Sequence, residues 1–500
     1  MPDLSASTTR SSFRAWLPLV AGPCAAVLAL AMTRALAPEA PSAAVHAAAV
    51  LAWMAVWWLT EAVPLAVTSL LPLVLFPLLG VSTGKEAAAP YADRIIFLYV
   101  GGFFIAMAME RWGLHRRIAL TTLLVVGAGT HRLVGGVMLV TGIISMWVSN
   151  TATAMMMLPI AISLIDRMER HTGKTAGNFA LCMLLAVAYG ANIGGIGTPI
   201  GTPPNAIMLA FVEQRYGMQI EFLQWAMVGI PFALTLMVVA WLYLTRFAYP
   251  IAERALPGGR DEIRAELASL GPMSRGERSV LIVFLVTVAG WMLREPVARL
   301  LPAAIGNWVS TSIDDTTVAL VGGLVLFAIP VDLRSRTFVM DWSAVARLPW
   351  DILFLFGGGL SLAAGVQSSG LADLLGNALA ATHSWPLVLT LLLLLTASVF
   401  LSEVTSNTAQ ANLFMPILAG LALAAGVAPL TIIAPCTIAF SCAFMLPMGT
   451  PPNAIVFGSG RVTIRQMARA GLGLNFLGIA LILASAYTLI PWVLPVIASP

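Results

Sequence analysis

Two stretches of identical sequence, Gly201-Thr202-Pro203-Pro204-Asn205 and Gly449-Thr450-Pro451-Pro452-Asn453, each interrupt a long apolar run of the chain. Apolar runs fill the sequence, since 59% of its 500 residues are hydrophobic, only 10% are charged, and the mean hydropathy is +0.90. These values exclude an ordinary soluble protein and leave no room for a large domain outside a membrane. The sequence therefore predicts an all-α, polytopic membrane protein.

The glycines and prolines of the two stretches predict that two helices are broken within the membrane. Irregular backbone occurs at membrane depth only where protein or a water-filled cavity satisfies its polar groups. We therefore predict one broken helix within residues 178–212 and another within residues 428–458, both facing a cavity. Thr202 and Thr450 are suitable N-cap residues, and the proline after each is tolerated at the first helical position.

Two other apolar runs, 133–165 and 385–421, are too long for a single crossing of the membrane, which takes about 20 residues. Each carries a polar cluster at its middle, Ser145 to Thr153 in one and Ser402 to Gln410 in the other. Basic residues flank the first run on both sides, so the positive-inside rule places both of its ends in the cytoplasm. We predict two re-entrant hairpins, the first entering from inside and the second from outside.

The remaining runs give about 11 transmembrane helices, with the N-terminus in the cytoplasm and the C-terminus outside. The apolar start at residues 16–32 is counted as the first helix rather than as a cleaved signal peptide, because the number of crossings is then odd and matches a cytoplasmic N-terminus and an outer C-terminus. Only six of the 27 Lys and Arg residues then lie outside, which leaves 21 inside and agrees with the positive-inside rule. The six outside are Arg34, Lys85, Arg94, Arg215, Arg294 and Arg299.

The polar motifs recur in the same order, which indicates an internal repeat. Ser145–Thr151 aligns with Ser402–Thr408 at an offset of 257, and Gly201–Asn205 aligns with Gly449–Asn453 at an offset of 248. Because the two hairpins enter from opposite sides, the repeats have inverted topology. We predict a cytoplasmic tail over 1–15, a first repeat over 16–250, a cytoplasmic linker over 251–277 and a second repeat over 278–500.

Four helix N-termini, two at the hairpin tips and two at the breaks, are predicted to meet at one central point. Each carries roughly half a positive charge, so this point attracts an anion. No Lys or Arg lies between Lys174 and Arg215 or between Arg347 and Arg461, so a mobile cation must compensate a bound dianion. The Ser, Thr and Asn oxygens and the free carbonyls of a broken helix suit sodium. Coupling to protons through Glu403 is the alternative.

Other functional classes find little support in the sequence. The formal net charge is only +4, which gives no reason to expect a nucleic-acid partner. The histidines lie singly and the cysteines have no metal-ligand spacing, so neither a zinc site nor a catalytic triad can be assembled. An enzyme is therefore disfavoured, no organic cofactor is expected, and the paired cation-ligating clusters argue against an anion channel. A purely structural role for the polar residues, in joining helices by hydrogen bonds, is the competing interpretation.

At these motifs the chain resembles the divalent anion/sodium symporter family, which includes sodium-coupled dicarboxylate and citrate transporters. The likeness covers nearly the whole chain and rests on the paired Ser-Asn-Thr tips and the paired Gly-Thr-Pro-Pro-Asn breaks. It implies a homodimer in the lipid bilayer of a bacterial inner membrane or plasma membrane, with an elevator-type transport domain. It also implies sodium-coupled symport of C4-dicarboxylates such as succinate, malate and fumarate. Exchange without net sodium coupling, citrate transport and sulfate transport are alternatives.

The resemblance further implies which residues bind the ions and the substrate. The first sodium ion is implied to bind Ser145, Ser149, Asn150 and the carbonyl of Gly201, and the second Ser402, Thr405, Asn407 and the carbonyl of Gly449. The substrate carboxylates are implied to contact Asn150, Thr151, Thr202, Asn407, Thr408, Thr450 and Pro451.

The predicted topology can be tested by labelling single cysteines in a cysteine-free background. Cysteines at Gly173 and Gly258 should react only with reagent on the cytoplasmic side, because both follow basic segments. A cysteine at His383 should react only from outside, and its labelling from the cytoplasm would overturn the inverted-repeat interpretation.

Overall fold

The structure is a computed structural model that describes residues 8–127, 129–173, 175–252, 259–378 and 385–494. Sequence predictions that involve Lys174, Arg254, Gly258 or His383, or the first seven and last six residues, lie outside these ranges.

Helices make up nearly all of the described chain, because apolar segments in a membrane must satisfy their backbone groups internally. In chain order they are α1 (Thr8–Leu36), α2 (Ser42–Thr60), α3 (Leu65–Thr68), α4 (Leu71–Leu78), α5 (Gly84–Ala88), α6 (Arg94–Arg111), α7 (Leu114–Val126), α8 (Thr130–Ser145), α9 (Asn150–Thr172), α10 (Gly177–Gly195), α11 (Pro203–Tyr216), α12 (Phe222–Tyr243), α13 (Gly259–Ser269), α14 (Arg275–Leu300), α15 (Ala303–Ser312), α16 (Asp315–Ala328), α17 (Trp350–Ser368), α18 (Leu371–Ala378), α19 (Leu387–Ser402), α20 (Asn407–Ala424), α21 (Leu430–Phe440), α22 (Pro451–Gly458), α23 (Ile464–Tyr487) and α24 (Leu489–Val493).

Three short segments have other helical forms, with 3-10 turns at Ala89–Ala92 and Trp342–Arg347 and a π-helical turn at Leu244–Ala248. The described strands, β1 (Pro330–Asp332) and β2 (Thr337–Phe338), form one small antiparallel hairpin.

Within the described ranges, nine helices are long and apolar enough to cross a membrane, and a tenth span results if α15 and α16, bent by 76°, are counted together. Eight of these nine coincide with predicted crossings. The ninth, α9, is the returning arm of the first predicted hairpin. Two further apolar runs of the sequence, 64–81, which counts as a crossing, and 428–458, the second predicted broken helix, fold as shorter helices because prolines and glycines interrupt them. The expected all-helical membrane fold is confirmed, and its shorter spans account for the difference in number.

The hairpins and broken helices occur where the sequence places them. Arms α8 and α9 meet at the turn 146–149 and both pack on α10, while arms α19 and α20 meet at the turn 403–406 and both pack on α21. The breaks span residues 196–202 and 441–450. Beyond the breaks the repeats exchange partners, because α11 packs on α20 and α21, and α22 packs on α9 and α10.

Helices also occur in two segments predicted to lie in the cytoplasm. Helix α1 already begins at Thr8, so residues 8–15 of the predicted tail are helical. The predicted linker contains a helix of its own, α13, which packs against α7. An ion pair between Arg116 and Glu266, 2.9 Å apart, attaches this polar helix to the rest of the chain.

The helices form two groups that share an interface. The first group contains the hairpins and broken helices, α8 to α12 and α19 to α24. The second group contains α2 to α6 and α14 to α18, with α1 packed on α2. The groups meet where α17 contacts α11 and α20, where α18 and α2 contact α20, and where α12 contacts α14.

Three consecutive glycines of α17 allow close contact with three different neighbours. A Cβ at Gly357 would collide with Tyr91, one at Gly358 with Ser69, and one at Gly359 with the Asn412 side chain. Tyr91 and Ser69 belong to the second group of helices and Asn412 to the first. The backbone of this turn of α17 is therefore in direct contact with residues of both groups.

Ion pairs also join the two groups, at the N-terminal end of α6. Arg94 pairs with Glu213 at the end of α11, at 2.8 Å, and with Asp314 at 2.9 Å. Nearby, the buried Arg294 guanidinium contacts the Glu221 carboxylate at the start of α12. The Arg294 guanidinium has little access to water, so it requires such a partner.

Candidate functional site

A cavity of 720 Å³ lies at the centre of the molecule, where the hairpin tips and helix breaks meet. All seven predicted substrate-binding residues line it, together with Ser149, Gly201, Thr405 and Gly449 of the predicted sodium sites. Its opposite wall comes from the second group of helices and includes Thr60, Glu61, Tyr99, Phe103 and Ile352. The structure thus brings the two repeated motifs together around one space, as the sequence predicted.

Four helices begin at this cavity, namely α9, α11, α20 and α22. At the hairpin tips, Ser149 accepts a hydrogen bond from the Ala152 amide at 3.3 Å, and Ser406 accepts one from the Ala409 amide at 3.4 Å. These bonds are N-caps, so a capped helix begins at each hairpin tip. The free N–H groups and dipoles of four helices make the cavity attractive to an anion.

The predicted caps at the breaks are only partly correct. Thr202 and Thr450 do occupy the N-cap position with extended backbone, but neither side chain caps its helix. A capping oxygen usually binds the second or third amide of the helix, and Pro204 and Pro452 have no amide hydrogen to offer at the second position. The Thr202 hydroxyl therefore stays available to the cavity.

The broken backbone is held by the asparagine that ends each repeated motif. Asn205 Nδ2 donates to the carbonyls of Gly195, at 3.2 Å, and Thr198, at 2.8 Å. Asn453 Nδ2 donates to the carbonyls of Ala443, at 3.1 Å, and of Leu446, at 3.0 Å. The acceptors correspond at the repeat offset of 248, so the two halves satisfy their breaks with matching hydrogen bonds.

Oxygen atoms converge on Asn150 in the first half. One terminal atom of its side-chain amide lies 2.7 Å from Ser145 Oγ and 3.2 Å from the carbonyl oxygens of Ala191 and Gly201. These partners come from the hairpin arm α8, from helix α10 and from the break. A Cβ at Gly195 would lie 2.7 Å from Asn150 Oδ1 and 3.1 Å from the Gly201 oxygen, so glycine keeps this space open.

The second predicted sodium site is arranged differently. The side-chain oxygen of Asn407 is buried and has no hydrogen-bond partner among the described residues. Ser402 Oγ lies 2.9 Å from the Ser398 carbonyl oxygen and 2.6 Å from the Gln410 amide oxygen, both within its own hairpin. The Thr405 hydroxyl donates to a carbonyl one turn earlier, at 2.8 Å. In the first set, by contrast, Ser145, Asn150 and the Gly201 carbonyl are in contact.

Glu403, at the turn of the second hairpin, is buried and does not line the cavity. Its Oε1 accepts from the Phe444 amide at 2.8 Å and from Asn475 Nδ2 at 2.7 Å. Its Oε2 accepts from the Leu446 amide at 3.0 Å, and the Met445 amide is 3.0 Å from both oxygens. The carboxylate thus replaces the carbonyl acceptors that a continuous helix would offer these amides. This geometry favours the structural interpretation of Glu403.

Sequence reasoning did not identify two residues that position the site. Asn192 Nδ2 donates to Thr450 Oγ1 at 2.9 Å and to Asn453 Oδ1 at 3.2 Å, which joins the first repeat to the second. Tyr99 Oη lies 2.9 Å from the Thr202 carbonyl oxygen. Both lie outside the two polar motifs, and the signal for each is a polar group within an apolar helix.

The cavity has little charge of its own. Among the described residues that line it there is no Lys or Arg, and Glu61 is the only carboxylate. Glu61 occupies the C-cap position of α2 in a left-handed backbone conformation, with φ 50°. An anion in the cavity therefore meets helix N-termini and polar side chains but no fixed cation.

A central cavity built from hairpins and broken helices of two repeats defines a membrane transporter. The chain belongs to the family described as the sodium:sulfate symporter transmembrane region, whose sequence model matches residues 19–496, and the resemblance to divalent anion/sodium symporters is thereby confirmed. It is 42% identical to the sodium-dependent dicarboxylate transporter SdcS of Staphylococcus saprophyticus, over 89% of this chain and 86% of that protein. The SdcS of Staphylococcus aureus strain USA300 is 41% identical, over 91% and 88%.

Two solved structures share the fold at low sequence identity. The YdaH transporter of Alcanivorax borkumensis has a TM-score of 0.56 at 15% identity and covers 82% of this chain and 86% of its own. MtrF of Neisseria gonorrhoeae has a TM-score of 0.57 at 12% identity and covers 82% and 84%. They support the overall architecture alone.

The structural role of Glu403 predicts a loss of stability when it is replaced by Gln. The amide NH2 would face backbone N–H donors, and each unsatisfied group costs about 1–3 kcal/mol. Glu403→Gln should therefore lower the melting temperature of the purified protein in detergent. Glu61→Gln, which changes an exposed carboxylate, is the matched control, and equal melting temperatures for the two variants would contradict this assignment.

Proposed function

We propose that the protein is a secondary active transporter that couples sodium to the symport of C4-dicarboxylates such as succinate, malate and fumarate. The observation that carries the proposal is the cavity, which both Ser-Asn-Thr tips and both Gly-Thr-Pro breaks line without any Lys or Arg among its described residues. Relatives named as sodium-dependent dicarboxylate transporters support it.

The coupling ion is sodium, and its first site centres on Asn150. Ser145, Ser149 and the Gly201 carbonyl complete the proposed ligands. The contacts of the Asn150 side chain with Ser145 Oγ, at 2.7 Å, and with the Gly201 carbonyl oxygen, at 3.2 Å, support this position. Carbonyls of a broken helix are common ligands for sodium in transporters. The second site consists of Ser402, Thr405, Asn407 and the Gly449 carbonyl, and the unpartnered oxygen of Asn407 supports it. Rotation of the Ser402 and Thr405 hydroxyls would complete that site.

The substrate dianion lies between the two sodium sites. Its carboxylates contact the two tip motifs and the two break motifs, through Asn150, Thr151, Thr202, Asn407, Thr408, Thr450 and Pro451. Each carboxylate faces helix N-termini, which favour negative charge. Sodium provides the compensating positive charge that the cavity wall lacks.

Alternating access results from movement of the first group of helices against the second, in an elevator-type motion within a homodimer. The cavity wall contributed by α2 and by the start of α17 lies near the predicted cytoplasmic ends of both helices. We assign the structure to an inward-facing state, with the N-terminus in the cytoplasm of a bacterial cell and the C-terminus outside. The two inverted repeats, 16–250 and 278–500, each contribute half of the moving group.

Other cargoes and modes fit the same architecture. The family description names sulfate, and helix N-termini bind any oxyanion, so a sulfate carrier is the second candidate. Citrate transport and dicarboxylate exchange without net sodium coupling would use the same cavity. Substrate competition against labelled succinate distinguishes the cargoes, and a sodium gradient distinguishes symport from exchange.

The first sodium site can be tested by adding one methyl group beside it. Gly195→Ala would place Cβ against Asn150 and the Gly201 carbonyl, so it should weaken sodium activation of uptake at least tenfold. Gly478→Ala is the control, because its Cβ would meet nothing within 4 Å. Both variants should form folded protein. Unchanged sodium dependence of uptake in Gly195→Ala would contradict the assignment of the first sodium site.

The coupling itself can be tested by calorimetry on the purified protein in detergent. Linkage requires sodium to raise succinate affinity and succinate to raise sodium affinity by the same factor. Replacing sodium with choline at constant ionic strength should weaken succinate binding at least tenfold, which is about 1.4 kcal/mol of coupling.

Two other outcomes of this titration would contradict sodium coupling. Succinate affinity that does not depend on sodium would favour the exchanger. Affinity that responds instead to pH, and loses that response in Glu403→Gln, would favour proton coupling.

A further inference from the structure

A second pocket, of 230 Å³, lies away from the central cavity at the end of the molecule where several helices terminate. Helix α11 ends at Tyr216, α17 at Ser368 and α20 at Ala424, while α18 and α21 begin nearby. The charge distribution of the sequence places these ends at the outer surface. The pocket therefore opens at the outer boundary between membrane and water.

The pocket combines an apolar floor with a polar rim. Its floor includes Val366, Pro416 and Ala419, which are buried, while Gln214 and Gln367 at the rim are exposed. For comparison, an apolar cavity of about 150 Å³ holds a benzene molecule. The space is therefore sufficient for one short alkyl chain, and it is too small for the two acyl chains of a phospholipid.

Arg215 supplies the positive charge of this pocket. Its guanidinium carbon lies 5.8 Å from the ring centroid of Tyr216, and no carboxylate within the described ranges forms an ion pair with it. In contrast, Arg94 and Arg294, which are predicted to lie on the same side, are both paired with carboxylates. A half-buried cation beside an apolar floor is complementary to a carboxylate that carries a hydrocarbon chain.

We propose that this pocket binds a straight-chain alkyl monocarboxylate, with its carboxylate on Arg215 and its chain on the floor between α17 and α20. A dicarboxylate of four carbons does not match the pocket, because its second charge would be buried among apolar side chains. The ligand class therefore differs from the proposed cargo of the central cavity.

Binding at this position has a consequence for transport, which rests on the proposed function. Helices α11 and α20 belong to the group proposed to move, whereas α17 and α18 belong to the other group. A ligand that contacts both groups stabilises the state in which the pocket exists. An alkyl carboxylate should therefore inhibit succinate uptake from the outer side without occupying the central cavity.

The binding is tested with labelled octanoate on purified full-length protein in detergent. Unlabelled butanoate, hexanoate and octanoate should compete in order of length, about fourfold more tightly per added CH2, from roughly 0.8 kcal/mol for each buried CH2. Arg215→Gln should weaken octanoate binding at least tenfold, Arg215→Lys should retain most of it, and Ala364→Leu, which narrows the pocket, should weaken it. Arg299→Gln, which removes an exposed cation predicted on the same side, is the matched control and should bind as the natural protein does.

Three results would overturn the proposal, namely undetectable binding to the natural protein, equal octanoate binding by Arg215→Gln, and competition by succinate as strong as that by hexanoate. Uptake of succinate into proteoliposomes is measured in parallel. Octanoate should inhibit the natural protein and Arg299→Gln but not Arg215→Gln. Binding without inhibition would overturn the proposal that the ligand stabilises one conformation of the transporter. If the natural protein takes up no succinate, the proposed function fails, while the binding data still decide the pocket.

Discussion

The structure depends on satisfying the backbone polar groups of two helices that stop in the middle of the membrane. Hydrocarbon offers no hydrogen bonds, so an unsatisfied carbonyl at that depth is very unfavourable. Asn205 and Asn453, the last residues of the two repeated motifs, satisfy these groups, since each donates to backbone carbonyls in or directly before its own break. Because the breaks are stable, the following half-helices can begin at the cavity, and because they begin there the cavity attracts anions.

The two repeats have the same arrangement of helices, but different side chains occupy some equivalent positions. At the repeat offset, Glu403 occupies the place of Met146 and Gln410 that of Thr153. In the first half, amides of the break still bond to carbonyls one turn earlier, as Gly197 does to Gly194 at 2.9 Å. At the corresponding positions of the second half, the Phe444 and Met445 amides donate to the Glu403 carboxylate instead. The repeats can therefore carry different ion sites on matching backbones.

Much of the fold and most of the cavity lining could be predicted from the sequence, because broken helices and hairpin tips require Gly, Pro and cap residues at definite positions. Residues that act through tertiary contact could not. Asn192 lies in an apolar helix without a counterpart in the repeat, and its partners come from 258 and 261 residues away. Thr202 occupies the predicted N-cap position, but its side chain does not cap the helix, and Pro204 at the second helical position has no N–H to offer it. The proximity of Gly195 to Asn150 could not be predicted either, because it results from the packing of α10 against α9.

The three adjacent glycines of α17 show how a simple run of sequence can have several separate roles. Gly-Gly-Gly is typical of a flexible linker, yet here each glycine lies against a different neighbour, in Tyr91, Ser69 and Asn412. A change at one position would disturb packing within one group of helices, and a change two residues later would disturb the boundary between groups. Neighbouring substitutions in a single turn should thus separate into two kinds of defect, one in assembly of the protein and one in its turnover.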